Sequence, residues 1–149
     1  MRIADLEIAV PDDWEDHSLY TYVAPAEDVS PALSKGSSPF RTNVVFQQRP
    51  LGDETIEDRV QQVLKSTAET FGEVEVKVED GPSNADMTSR RVSYTVVDGV
   101  TNQPVGQLIY VCVVGELEWQ VAFSIAAISM RERIPDFDRM VASMQRAPR

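Results

Sequence analysis

His17 is the only histidine and Cys112 the only cysteine among the 149 residues of the chain. These are the side chains with most to offer a catalyst or a metal ion. A hydrolytic triad needs an imidazole poised between a nucleophile and a carboxylate, and a zinc site needs several nitrogen or sulfur ligands that converge. His17 instead follows Glu15 and Asp16 in a polar turn, and Cys112 lies within Tyr110-Val111-Cys112-Val113-Val114, a setting in which cysteine acts as a small buried hydrophobe. The acidic pairs Asp12-Asp13 and Asp136/Asp138 suit solvated turns and helix starts as well as they suit calcium or proton transfer. Gly72, Gly81, Gly99, Gly106 and Gly115 stand singly, and none opens a phosphate-cradling or dinucleotide-binding pattern. The residues therefore predict a protein that is not an enzyme and has no catalytic residues, no metal site and no cofactor. Its work must lie in what it binds.

The formal net charge of −10 narrows the partners. Residues 1–40 hold eight acids against Arg2 and Lys35, and a negative field of this kind repels nucleic acid and anionic lipid. The first residues, Met1-Arg2-Ile3-Ala4-Asp5, lead into no apolar signal segment. The uncharged runs Val105 to Gly115 and Val121 to Met130 fall short of the roughly 20 residues of a membrane-crossing helix. A cytoplasmic location with no membrane insertion is expected. An apolar fraction of 42% and a charged fraction of 26% are those of a globular chain, and the length suits one domain over 1–149.

Binding surfaces must be positioned by secondary structure, and the pattern is legible. Leu6, Ile8 and Val10 alternate before Pro11, Leu19 to Val23 is wholly β-favouring, and Thr42, Val44 and Phe46 alternate with Asn43, Val45 and Gln47, so three strands are predicted. Pro25 to Pro39 is rich in Ser, Pro and Gly and reads as a loop. Ile56, Val60, Val63, Leu64, Thr67 and Phe71 recur at helical spacing over Asp53 to Phe71, with Asp53 as cap and Gly72 as stop. Val74, Val76 and Val78 alternate with charges, the mark of a strand near a sheet edge. Thr88 to Val97, Val105 to Val114 and Leu117 to Ala127 predict a three-strand meander with a tight Gly115-Glu116 turn. A last helix is predicted from Pro135, showing Phe137, Met140, Val141 and Met144 on one side. Without βαβ alternation, the order predicts an α+β fold: an antiparallel β-sheet packed with two main α-helices.

The strand from Leu117 separates its faces most sharply. Leu117, Trp119, Val121, Phe123 and Ile125 are bulky enough to be core, while Glu118, Gln120, Ala122, Ser124 and Ala126 form a smooth, mildly polar face. Small side chains let another helix approach closely. The expected partner-binding surface is Gln120, Ala122, Ser124 and Ala126, with Tyr110 and Cys112 from the preceding strand, Ser93, Thr95 and Val97 from the one before, Val45 and Gln47 from the third strand, and Tyr20 and Tyr22 at its border. The alternative is a solvated face or a surface that pairs with its own copy.

Val10-Pro11-Asp12-Asp13-Trp14-Glu15-Asp16-His17-Ser18 resembles the Val-Pro-x-x-Trp-x-Asp-x-Ser/Thr opening of DcrB-like domains, which include the Eag-type chaperones of bacterial type VI secretion. Asn43-Val44-Val45-Phe46 with Arg49 is similar to the asparagine-led strand of these proteins, and the amphipathic helix, meander and final helix follow in the same order. The resemblance implies a PsbP-like αβα sandwich and a homodimer. It also implies a sheet groove that shelters the apolar N-terminal helices of a secreted effector and keeps it soluble for loading. The Pro25 to Pro39 segment is longer than the family pattern leads one to expect. The alternative from another class is a ligand-binding or structural homodimer of the same fold.

Overall fold

Thr55 and Asp58 start the first helix. The Thr55 hydroxyl accepts from the Asp58 amide at 3.2 Å while the Asp58 carboxylate accepts from the Thr55 amide at 2.9 Å, so two otherwise orphaned amides are satisfied at once. This reciprocal pair sets the start of helix α1, Ile56–Phe71, slightly after the expected Asp53. Gly72, at φ 73°, ends it with its amide bonded to the Ala68 carbonyl at 2.9 Å, a conformation glycine adopts without steric cost.

The computed structural model describes Arg2–Ile3, Leu6–Glu7, Leu19–Val23 and residues 41–144. Two short strands, β1 (Arg2–Ile3) and β2 (Leu6–Glu7), pair with each other. The main sheet is built from β3 (Leu19–Val23), β4 (Asn43–Pro50), β5 (Lys77–Asp80), β6 (Met87–Val97), β7 (Pro104–Val114) and β8 (Leu117–Ala126). All neighbours are antiparallel, in the spatial order β3-β4-β8-β7-β6-β5. Ile8, Val10, the Trp14 motif, His17 and the Pro25 to Pro39 segment lie outside the described residues.

The predicted meander stands as β6–β7–β8, and Gly115 at φ 61° makes its second turn. The edge strand falls at Lys77–Asp80, later than the valine alternation suggests, and pairs with β6 alone. Val76, just before it, packs against the cluster beneath α1. A single 3₁₀ turn, Ala127–Ser129, leads into helix α2, Met130–Ala142. The helix thus begins a turn and a half before Pro135, the residue expected to open it. Met130 and Ile134 both pack on the core, and their burial favours those added residues although Pro135 cannot donate a helical hydrogen bond. Phe137 and Val141 are buried, whereas Met140 is exposed.

The helices pack on opposite faces of the sheet. Val60 and Val63 of α1 join Val92, Tyr94 and Val111. Phe137 and Val141 of α2 join Leu108, Tyr110, Cys112, Val121, Phe123 and Ile125. In the second cluster the Phe123 ring stacks on Phe137 with centroids 4.1 Å apart and meets Tyr110 edge-on at 5.7 Å, geometries that suit the aromatic quadrupole. The architecture is an α+β sheet with a helix on each side.

Candidate partner-binding face

Cross-strand register decides which side chains share a surface, because directly opposed residues point the same way. Ala122 of β8 lies opposite Val45 of β4 and Ile109 of β7. Gln120 faces Gln47 and Val111, and Ser124 faces Asn43 and Gln107. Continuing outward, Thr21 of β3 is opposite Val45, Leu19 opposite Gln47 and Val23 opposite Asn43. This is the side on which α1 packs, but α1 covers β6 and β7. Beyond the Arg49 and Glu118 end, which α1 reaches, no helix among the described residues covers β3, β4 and β8 on this side. Val45, Gln120, Ala122 and Ser124 are accordingly half-buried and Gln47 is exposed.

Polar groups mark both ends of this shelf. At one end the Ser124 hydroxyl and the Gln107 amide oxygen are 2.9 Å apart. At the other, Glu118 is almost wholly enclosed and receives the Arg49 guanidinium at 2.5 Å, with a nitrogen of Arg59 at 3.7 Å. Arg49 also donates to Gln62 at 3.0 Å, and Arg59 donates to the Pro50 and Leu51 carbonyls, each at 2.9 Å. A buried carboxylate persists only when it is paired in this manner. The network ties α1 to the ends of β4 and β8 and closes the shelf at that end.

Several residues expected on this surface sit elsewhere. Tyr110 opposes Val121 and Arg91, Cys112 opposes Trp119 and Ser89, and Thr95 opposes Gly106, all on the α2 side. Ser93 and Val97, in alternation with Thr95, lie on that side too. Tyr20 and Tyr22, opposite Phe46 and Val44, are also on the α2 side. A displacement of register by one residue sends every side chain of a strand to the other face, which accounts for all these corrections. Ala126 is on the expected face but buried, so it presents no contact surface. Thr21, Gln107 and Ile109, not singled out by the sequence, complete the shelf.

On the α2 side, Tyr20, Tyr22, Phe46 and Trp119 line a hollow of about 300 Å³, with Tyr22 edge-on to Phe46 at 5.9 Å. Nearby, the Tyr110 hydroxyl donates to Asp138 at 2.5 Å, and Arg91 reaches both Asp138 oxygens at 2.9 and 3.0 Å. Burial and then the Asp138 carboxylate push the Tyr110 phenol up. Burial pulls the Arg91 guanidinium down, but Glu79, Asp138 and Tyr110 outweigh it and leave the cation reinforced. Burial, with a smaller contribution from Glu118, pushes the Cys112 thiol up to about 12. A thiol so placed is a poor nucleophile at neutral pH. The polar cluster is a latch for α2.

Among the described residues no group of three or more His, Cys, Asp or Glu is placed to hold a metal ion, and no helix is long and apolar enough to cross a membrane. No protein-family model matches the chain, and no curated protein matches it. Its fold is similar to that of a crystal structure of PA94 from Pseudomonas aeruginosa, a protein of unknown function described as a candidate regulator. The TM-score is 0.70 at 13% identity, over 100% of this chain and 96% of that one. At that identity the likeness concerns the fold alone.

Proposed function

We propose that the protein is a non-enzymatic cytoplasmic chaperone that binds apolar N-terminal helices of a type VI secretion effector. The observation that carries this reading is the half-exposed shelf of Val45, Gln47, Gln120, Ala122 and Ser124, left uncovered beside α1. Its small central residue lets a helix backbone come close, and its amide and hydroxyl groups can meet polar atoms on that helix. The Val10 to Ser18 motif and the order of elements, which resemble the Eag-type chaperones, point the same way. An apolar effector helix left in water exposes side chains whose burial is favourable by roughly 1.5–3 kcal/mol each, so covering several of them prevents aggregation without any chemical step.

Co-expression with the N-terminal region of an effector encoded beside this gene tests the reading. The expected result is a soluble complex and a several-fold rise in soluble effector. Equal effector solubility with and without the protein overturns it.

A further inference from the structure

Four aromatic side chains, Tyr20, Tyr22, Phe46 and Trp119, meet around the hollow of about 300 Å³ on the α2 side of the sheet. Register sets three of them on a diagonal. Tyr20 is opposite Phe46, and Gln48, two residues beyond Phe46, is opposite Trp119, so Tyr22, Phe46 and Trp119 run obliquely across β3, β4 and β8. Tyr22 is 64% and Tyr20 45% exposed, while Phe46 and Trp119 are half-buried. A contiguous group of open rings marks a contact site, whereas single exposed apolar residues do not. The group also has donors to offer. Among the described residues the hydroxyls of Tyr20 and Tyr22 and the indole N–H of Trp119 make no hydrogen bond.

We infer that this hollow binds a proline-rich segment of another polypeptide in the polyproline II conformation. Aromatic-lined grooves suit such a segment, whose helix is preformed and loses little conformational freedom on docking. The hydrogen-bonding chemistry is complementary. Proline has a carbonyl but no N–H, and a polyproline helix makes no internal hydrogen bonds, so its carbonyls are free to accept from the tyrosine and tryptophan donors. Length agrees as well: two diagonal steps of roughly 7–8 Å each separate Tyr22 from Trp119, the span of about five polyproline residues. Charge separates this ligand from others that stack on rings. Nucleobases arrive with phosphates and a second copy brings a net charge of −10, and both are repelled, whereas a proline-rich segment bearing arginine or lysine is attracted. β3 itself lies within residues 1–40, which hold eight acids against Arg2 and Lys35. The hollow is on the opposite face from the shelf of Gln120, Ala122 and Ser124, and neither reading rests on the other.

Fluorescence anisotropy of a labelled peptide titrated with the full chain provides the test. The probe is a run of about ten prolines with an arginine at each end, and its control is a glycine-serine peptide of the same length and charge. The proline peptide is expected to bind at least about tenfold more tightly than the control. Tyr22→Ala, at an exposed site, should leave circular dichroism unchanged and weaken binding at least about tenfold. Tyr22→Phe, which removes only the hydroxyl, should weaken it about two- to fivefold. Equal affinity for the two peptides, or none for either, overturns the inference. So does a proline peptide whose affinity neither Tyr22→Ala nor Trp119→Phe changes, since it then sits elsewhere. Sedimentation equilibrium of the same variants identifies the competing occupant: if Tyr22→Ala abolishes self-association and leaves peptide affinity intact, the hollow is a contact between copies and the inference fails.

Discussion

β8 has two sides that do opposite work with adjacent residues. Val121 and Phe123 are buried against α2, the latter between the Tyr110 and Phe137 rings, whereas Gln120, Ala122 and Ser124 between and beside them remain half open. One side is closed by large apolar side chains and a polar latch. The other has small residues and, along Gln120, Ala122 and Ser124, no helix above it among the described residues. The difference teaches that covering a sheet depends on the reach of each helix as well as on the strand beneath it: α1 lies over β6 and β7 and meets β8 at its Glu118 end, and Gln120, Ala122 and Ser124 are left with a usable surface on that side.

The comparison is broken most severely from the closed side. Phe123→Ala removes a ring stacked at 4.1 Å on Phe137 and is expected to cost about 3–5 kcal/mol in urea unfolding. A loss under about 1 kcal/mol would mean that this side is not the tightly packed one. Asp138→Asn weakens the bonds to Arg91 and Tyr110 and should cost about 1–3 kcal/mol, measurable in the same way. Ala122→Trp, by contrast, should change stability by less than about 1 kcal/mol, since the ring can lie on the open shelf. It should nevertheless lower affinity for a helical partner at least tenfold in a binding titration. Equal destabilisation by Phe123→Ala and Ala122→Trp would erase the distinction between the two sides.

Smaller effects sharpen it. Cys112 on the closed side, with its thiol pushed up to about 12, should resist a maleimide at pH 8 in the native protein and react once denatured. Away from both sides, the Asp98 carboxylate is held below its usual range by hydrogen bonds from the Thr101 backbone, then from its hydroxyl, then from Val100. A depressed folded-state value stabilises the protein above the unfolded value, and that contribution is lost as pH falls from about 4 through the folded value. Asp98→Asn should therefore slightly flatten the acid limb of stability against pH, with no effect at either side of β8.

Alternation alone separated Trp119, Val121 and Phe123 from Gln120, Ala122 and Ser124, because a strand admits only two directions for a side chain. Relating that strand to its neighbours required register. The tight Gly115-Glu116 turn contained the answer: with Val114 opposite Leu117, counting outward brings Ala122 opposite Ile109 and leaves Tyr110 on the other side. The place of β3 and β4 beside β8 had no such local signal, since these pairings join residues far apart in the chain. Nor does Pro135 reveal that helix α2 starts at Met130, which depends on packing of Met130 and Ile134 against the sheet.

The pairing of β4 with β8 has a kinetic consequence. Arg49 and Glu118 are separated by 69 residues, whereas β6, β7 and β8 are joined in succession by short connections. Closing the longer loop costs more chain entropy before any contact repays it. The meander should consequently form first, with β4 and β3 added last, and amides of Thr21 and Val45 should exchange with deuterium before those of Leu108 and Val111. Simultaneous exchange at all four would mean that the sheet opens as one cooperative unit. A surface completed only in the last step of folding is absent from partly folded chains, and this protein would then take hold of a partner only after its own folding is finished.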